Sequence, residues 1–184
     1  MTHVYIAHGY QADENQHWFQ WLKNALELEG HDVTIVKFPN PDTPRVEEWL
    51  EAMQQQVTHV NSDTLFVAHS LGAITTLKFI NDLDIPLIGG IAIISGFKDE
   101  LEQLPELDEF VNQTIDYDTL KVKLNYCFCI AAKDDYIVPY AYTQHLSNVL
   151  DAKLYTIEKG GHFCEVDGYD TFNYLKQKII LKLD

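Results

Sequence analysis

Thr64-Leu65-Phe66-Val67-Ala68-His69-Ser70-Leu71-Gly72-Ala73 reads as a buried strand that runs straight into a small-x-Ser-x-Gly turn and then a helix. A serine on such a turn is held at the tip of the strand, and the backbones before and after it come close together. Small residues are therefore needed two positions before and two after the serine. Gly72 meets the second requirement. At the first, Ala68 stands where glycine is usual, and the one extra methyl calls only for a slightly wider turn.

Working outward, short runs of apolar, β-branched or aromatic residues recur on both sides of this stretch. Val4–His8, Asp32–Phe38, Thr64–His69, Ile88–Ser95, Tyr126–Ala132 and Leu154–Glu158 read as six strands. Most are apolar at consecutive positions, as expected of strands covered on both faces. Between them lie helical patterns. Trp18, Leu22, Ala25 and Leu26 mark a helix ending near Gly30, and Val46, Trp49, Leu50, Met53 and Val57 mark another, with Pro44 at its first position. Helices also fit Leu71–Leu83, Pro139–Leu150 and the periodic residues Phe172, Leu175, Ile179 and Leu183. Strands alternating with helices predict an α/β class, a three-layer α/β/α sandwich around about six mostly parallel strands. About thirty residues separate Ser95 from Tyr126, with a helical stretch around Leu107–Val111; this is too short for a large lid domain but enough to border a cleft. With no repeat, low-complexity tract or Gly/Ser-rich linker, residues 1–184 are expected to form one domain.

Chemistry enters through three residues in chain order. A serine hydroxyl is a weak nucleophile at neutral pH, so it needs a base, and the base needs a third group to fix its tautomer. Lys133-Asp134-Asp135-Tyr136 follows the fifth strand, and Gly160-Gly161-His162 follows the sixth. Both lie at strand C-terminal ends, where open α/β sheets place their sites. Ser70 is the candidate nucleophile, His162 the base and Asp135 the orienting carboxylate; Asp134 is the alternative, expected otherwise to cap the helix near Pro139 or to face solvent. The oxyanion donors are expected to be the backbone N–H groups of Leu71 and of Tyr10, the latter after a turn at Gly9.

Composition removes other classes. The net charge of −15 argues against nucleic acid and anionic membrane surfaces. The first residues lack a basic stretch followed by an apolar run, and no apolar segment is long enough to cross a bilayer, so a cytoplasmic location is expected. Cys127, Cys129 and Cys164 are expected as free thiols, the first two as small buried hydrophobes on one strand face. A lone Cys-x-Cys lacks the second pair of a zinc site, and no phosphate loop or dinucleotide fingerprint appears. His17-Trp18 and Pro39-Asn40-Pro41 are read as structural.

Tyr5-Ile6-Ala7-His8-Gly9-Tyr10, His17-Trp18-Phe19, Pro39-Asn40-Pro41, Ala68-His69-Ser70-Leu71-Gly72, Lys133-Asp134-Asp135 and Gly160-Gly161-His162-Phe163 together make the chain resemble a known family. It is similar to the small serine hydrolases grouped with retinoblastoma-binding protein 9 and the bacterial YdeN proteins, within the α/β-hydrolase superfamily. The resemblance implies a shortened α/β-hydrolase fold, a triad falling on Ser70, Asp135 and His162, and neither metal nor organic cofactor. It implies hydrolase or esterase activity but little about substrate; the absence of a large lid points to a small or accessible acyl-containing substrate. The link of the human relative to protein binding leaves a second reading, a catalytically weak scaffold acting as a protein-interaction module with an unidentified partner.

Overall fold

The structure, a computed structural model, describes residues 1–183. Six strands form one sheet: β1 (His3–Ala7), β2 (Asp32–Val36), β3 (Thr64–His69), β4 (Ile88–Ile94), β5 (Leu124–Ala132) and β6 (Lys153–Ile157). Their order is β2-β1-β3-β4-β5-β6 and every pairing is parallel. The chain steps outward from β1 to β2, then returns past β1 to β3 and builds in the other direction. The C-terminal ends of β1 and β3 therefore flank the point where the winding reverses, the place where open sheets form clefts.

The helices are α1 (Phe19–Leu28), α2 (Val46–Gln56), α3 (Leu71–Asp82), the single turn α4 (Asp108–Val111), α5 (Tyr117–Lys123), α6 (Tyr140–Val149) and α7 (Asn173–Leu183). Side chains alternate across the sheet with the period of two that strands impose. Tyr5, Ala7, Phe66, Ala68, Ile91, Ile93 and Cys129 face one core, filled by Trp49 and Met53 of α2, Ile74 and Leu77 of α3, and Leu146 of α6. Val4, Ile6, Leu65, Val67, Ala92, Ile94, Phe128 and Ile130 face the other, filled by Phe19, Leu22 and Leu26 of α1 and Leu175 and Ile179 of α7. Each fully buried aliphatic side chain contributes about 1.5–3 kcal/mol. Two such cores on one sheet give the three layers expected from the consecutive apolar strands.

Element boundaries shift by one or two residues from the sequence reading, with two real differences. The second helix starts at Val46 with Arg45 as its N-cap, so Pro44 precedes the helix instead of opening it. The connection after β4 holds a 3₁₀ turn (Pro105–Leu107), α4 and an additional helix, α5, whose N-terminus is capped by Asp116 accepting from Thr119 N–H at 3.0 Å. All three cysteines are free. Cys129 is buried, but Cys127 is only half-buried, so only one of the pair is the fully buried hydrophobe expected. Among the described residues no helix is long and apolar enough to cross a membrane.

What fixes the serine turn is the approach of α3 to the end of β1. A Cβ on Gly72 would sit 2.4 Å from the His8 carbonyl oxygen and 2.7 Å from that of Ala7, both backbone atoms that cannot swing aside. Gly30 needs its glycine for another reason: it ends α1 at φ +90°, with open space around it. The two substitutions separate collision from backbone strain. Gly72→Ala is expected to cost about 3 kcal/mol or more and Gly30→Ala about 1–2 kcal/mol in urea unfolding; equal losses would contradict the close approach as the controlling constraint.

Candidate active site

Ser70 is the residue between β3 and α3, at φ 55° and ψ −124°. A non-glycine residue reaches this region only when its surroundings enforce it, at a cost of about 1–3 kcal/mol. Here the enforcement is visible on both sides. Ser70 N–H donates to the Ile94 carbonyl at 2.9 Å, Ala73 N–H donates back to the Ser70 carbonyl at 2.9 Å, and Gly72 tucks α3 against β1. Gly9 closes the remaining side, where a Cβ would lie 2.9 Å from Ser70 Cβ. The Ser70 hydroxyl makes no hydrogen bond to any described residue. It lies on a cavity of about 370 Å³ that is also lined by Gly9, Tyr10, His69 and His162.

His162 comes to this cavity on the loop after β6. Its Nδ1 faces the Asp135 carboxylate at 2.9 and 3.1 Å, and both side chains are nearly inaccessible, 6% and 2% exposed. With Nδ1–H donated to the carboxylate, Nε2 of the neutral ring keeps its lone pair. A buried carboxylate is tolerated only if its oxygens are satisfied. Asp135 Oδ1 also accepts from Ile137 N–H and Val138 N–H, both at 2.9 Å, which fixes the carboxylate before it orients the ring. Ser70 and His162 line the same cavity without a mutual hydrogen bond within 3.5 Å. Contacts of this kind often tighten only when substrate is bound.

Asp134 has a different job from the one expected. It does not cap the helix after Pro139; it is exposed, as the second alternative has it, but it also binds the loop that carries His162. Its Oδ1 accepts from Gly160 N–H (2.8 Å) and Gly161 N–H (2.9 Å), and these bonds hold its carboxyl below the usual range. The helix after Pro139 has no side-chain cap; Asp135 instead closes the turn before it through Ile137 N–H and Val138 N–H. Asp167, which the sequence did not single out, clamps the other side of the same loop: Oδ2 accepts from His162 N–H at 3.0 Å and Cys164 N–H at 3.1 Å. Gly161, at φ +56°, leaves room for it, since a Cβ there would meet Asp167 Oδ1 at 2.3 Å.

Among the described residues, neither expected oxyanion donor has an acceptor. Leu71 N–H is the first of α3, and such leading amides have no partner within their helix. It lies 3.5 Å from the position a Gly9 Cβ would occupy, beside the turn that carries Tyr10. Tyr10 lines the cavity, whereas no Leu71 atom counts among its lining. His8 sets the Tyr10 amide. Phe38 N–H donates to His8 Nε2 at 3.3 Å, so the ring proton is on Nδ1, which donates to the Gly9 carbonyl at 3.0 Å. In a trans peptide the carbonyl and the following N–H point in opposite directions. Holding Gly9 O toward His8 therefore turns Tyr10 N–H the other way.

His17 is more than the structural residue expected: it lines the cavity, and its Nδ1 accepts from Glu165 N–H at 3.1 Å while its own N–H donates to Glu165 Oε1 at 2.7 Å. Trp18, fully buried, does pack in the core. Cys164 lines the cavity as a thiol, not a thiolate, because burial and the Asp167 carboxylate push it up to about 12.

His69 is buried against His162, ring centroids 4.8 Å apart, and its Nε2–H donates to the His162 carbonyl at 2.8 Å. Its Nδ1 has no partner among the described residues. Burial first, then the neighbouring His162, holds His69 well below the ordinary histidine value of 6.5, and burial lowers His8 and His17 too. Groups neutral in the fold but protonated in the unfolded chain make stability rise with pH. Their contribution is complete above pH 6.5 and is lost progressively as pH falls below it toward their folded values. The thermal unfolding midpoint is thus expected to drop between pH 7 and pH 5; a midpoint flat across that interval would contradict the neutral histidine cluster.

A family model described as serine hydrolase matches residues 4–180. The chain is 40% identical over 167 residues to YdeN of Bacillus subtilis (strain 168), covering 90% of this chain and 88% of that protein. It is also 22% identical over 164 residues to the rat serine hydrolase RBBP9, covering 88% and 86%. The crystal structure of the B. subtilis ydeN gene product superposes with a TM-score of 0.96 at 36% identity, across 99% of this chain and 98% of that one. A shortened α/β-hydrolase fold, a strained serine at its sheet switch point and a family match along nearly the whole length lead to one conclusion: the chain belongs to the serine hydrolase family.

Proposed function

We propose that the protein hydrolyses carboxylic esters through an acyl-enzyme formed on Ser70. The observation that carries this reading is the convergence on one cavity of an unbonded serine hydroxyl at φ 55° and a histidine whose Nδ1 is held by a buried carboxylate. In this reading Ser70 Oγ attacks the ester carbonyl carbon while His162 Nε2 takes its proton. The carbonyl oxygen gains the negative charge and is met by the Leu71 and Tyr10 N–H groups. The tetrahedral intermediate collapses, the C–O bond to the alcohol breaks, and His162 returns the proton to the leaving oxygen. Water, deprotonated by His162, then attacks the acyl-enzyme and releases the acid, restoring the Ser70 hydroxyl.

Asp135 stabilises the imidazolium formed in each half-reaction and keeps the ring from rotating. Asp134 and Asp167 act one step further out by holding the loop that carries His162. The site is preorganised before substrate arrives, so little rearrangement is needed as charge develops.

Steady-state hydrolysis of p-nitrophenyl butyrate tests the assignment. Ser70→Ala is expected to fall to background and Asp135→Asn to lose roughly ten-thousandfold in kcat, because the amide favours the wrong histidine tautomer. Asp134→Asn, which keeps one acceptor oxygen for the Gly160 and Gly161 amides, is expected to lose far less. Turnover unchanged in Ser70→Ala overturns the reading. Equal losses in Asp134→Asn and Asp135→Asn would remove Asp135 from the role given to it.

A further inference from the structure

One wall of the cavity at Ser70 is apolar. Phe97, Leu101, Leu104 and Leu107, from the connection between β4 and α4, line it together with Ile137 and Val166 from the loops after β5 and β6. No lining residue is Lys, Arg, Asp or Glu. Phe97, Leu101 and Leu107 are buried although they belong to a connecting segment, so this wall is packed in place and does not hang free. At about 370 Å³ the space is of the size that holds a small ligand.

Charge on the connection that forms this wall is mostly negative. The connecting segment carries Asp99, Glu100, Glu102, Glu106 and Asp108. Glu106 reaches the site directly, accepting from the hydroxyl of the cavity residue Tyr10 at 3.0 Å. The lysine beside Phe97, Lys98, is taken up by Asp99 at 3.1 Å and lies 5.6 Å from the Tyr117 ring centroid. The chain's single arginine, Arg45, sits at the N-terminus of α2. An anionic substrate would leave water for an apolar wall without a pairing cation and with carboxylates nearby.

Resting on the hydrolase reading above, we propose that the wall from Phe97 to Leu107 is an acyl subsite for uncharged aliphatic chains of several carbons, and that the site rejects acyl groups and leaving groups bearing negative charge. The proposal separates neutral esters, which it accepts, from dicarboxylate monoesters and coenzyme A thioesters, which it does not. Affinity for the chain comes from apolar area removed from water; selectivity comes from the missing cation.

The test compares kcat/KM for p-nitrophenyl acetate, butyrate and hexanoate with that for the adipate monoester, which matches hexanoate in length but ends in a carboxylate, and for butyryl-coenzyme A. Along the neutral series kcat/KM is expected to rise about fourfold per methylene, equivalent to ~0.8 kcal/mol, until the wall is filled. The adipate monoester is expected about a hundredfold below hexanoate, butyryl-coenzyme A well below p-nitrophenyl butyrate, and Leu104→Ala is expected to flatten the chain-length slope. Adipate turned over as fast as hexanoate, or acetate preferred in the wild type, overturns the subsite. Ser70→Ala run in parallel distinguishes the two levels: Ser70-dependent turnover without these preferences removes the subsite alone, whereas no Ser70-dependent turnover of any ester removes the hydrolase reading as well.

Discussion

The serine half of the candidate site hangs on the contact between the first turn of α3 and the end of β1. Gly72 has no room for a side chain because the Ala7 and His8 carbonyls already occupy it. With α3 drawn in this far, the chain leaving β3 must turn within one residue. Ser70 takes the strain at φ 55°. The same approach brings Gly9 against Ser70 Cβ, so the turn after β1 and the turn after β3 become one packed unit. The candidate nucleophile and the Leu71 amide are thus set by a single backbone-to-backbone contact, while His8 turns the Tyr10 amide through the Gly9 carbonyl; central parallel strands with buried faces can hold this unit rigidly.

The histidine is positioned by other means. No strand strain brings it in; a loop after β6 is pinned by carboxylates from both sides. Asp134 holds Gly160 and Gly161, Asp167 holds His162 and Cys164, and Asp135 holds the ring itself. His69 adds a bond from below the ring to the His162 carbonyl. Loops are the variable parts of a fold, yet this one is bound at nearly every amide. In a chain of net charge −15 these carboxylates are not surplus surface charge; they are acceptors for backbone N–H groups around one imidazole.

Much of this was legible in the sequence because the signals are local. Six strands stood out since β1, β3 and β4 are apolar on consecutive positions, and the small-x-Ser-x-Gly string followed one of them. The order of Ser70, Asp135 and His162, each just beyond a strand, located the three side chains before any contact was known. Helix α5 was missed because it is seven residues long with one fully buried side chain, Leu120, although Asp116 and Thr119 carried its capping signal. Asp135, not Asp134, faces the His162 ring, as the sequence reading has it; what lay beyond reach was the job of Asp134, whose partners Gly160 and Gly161 are 26 and 27 residues away. Asp167 and His69 were hidden for the same reason, since each acts through a backbone atom of the His162 loop. His8 was visible only as the neighbour of Gly9, and its tautomer needed the Phe38 amide to be placed.

The proposed hydrolysis requires the fold to activate one hydroxyl, that of Ser70. Labelling with a fluorophosphonate probe, read by intact mass and peptide mapping, tests it without any assumption about substrate. The account predicts a single adduct on Ser70 in the wild type, absent in Ser70→Ala and strongly slowed in His162→Ala while both variants remain folded. A folded wild-type protein that stays unlabelled, or an adduct that forms equally well without His162, would contradict it.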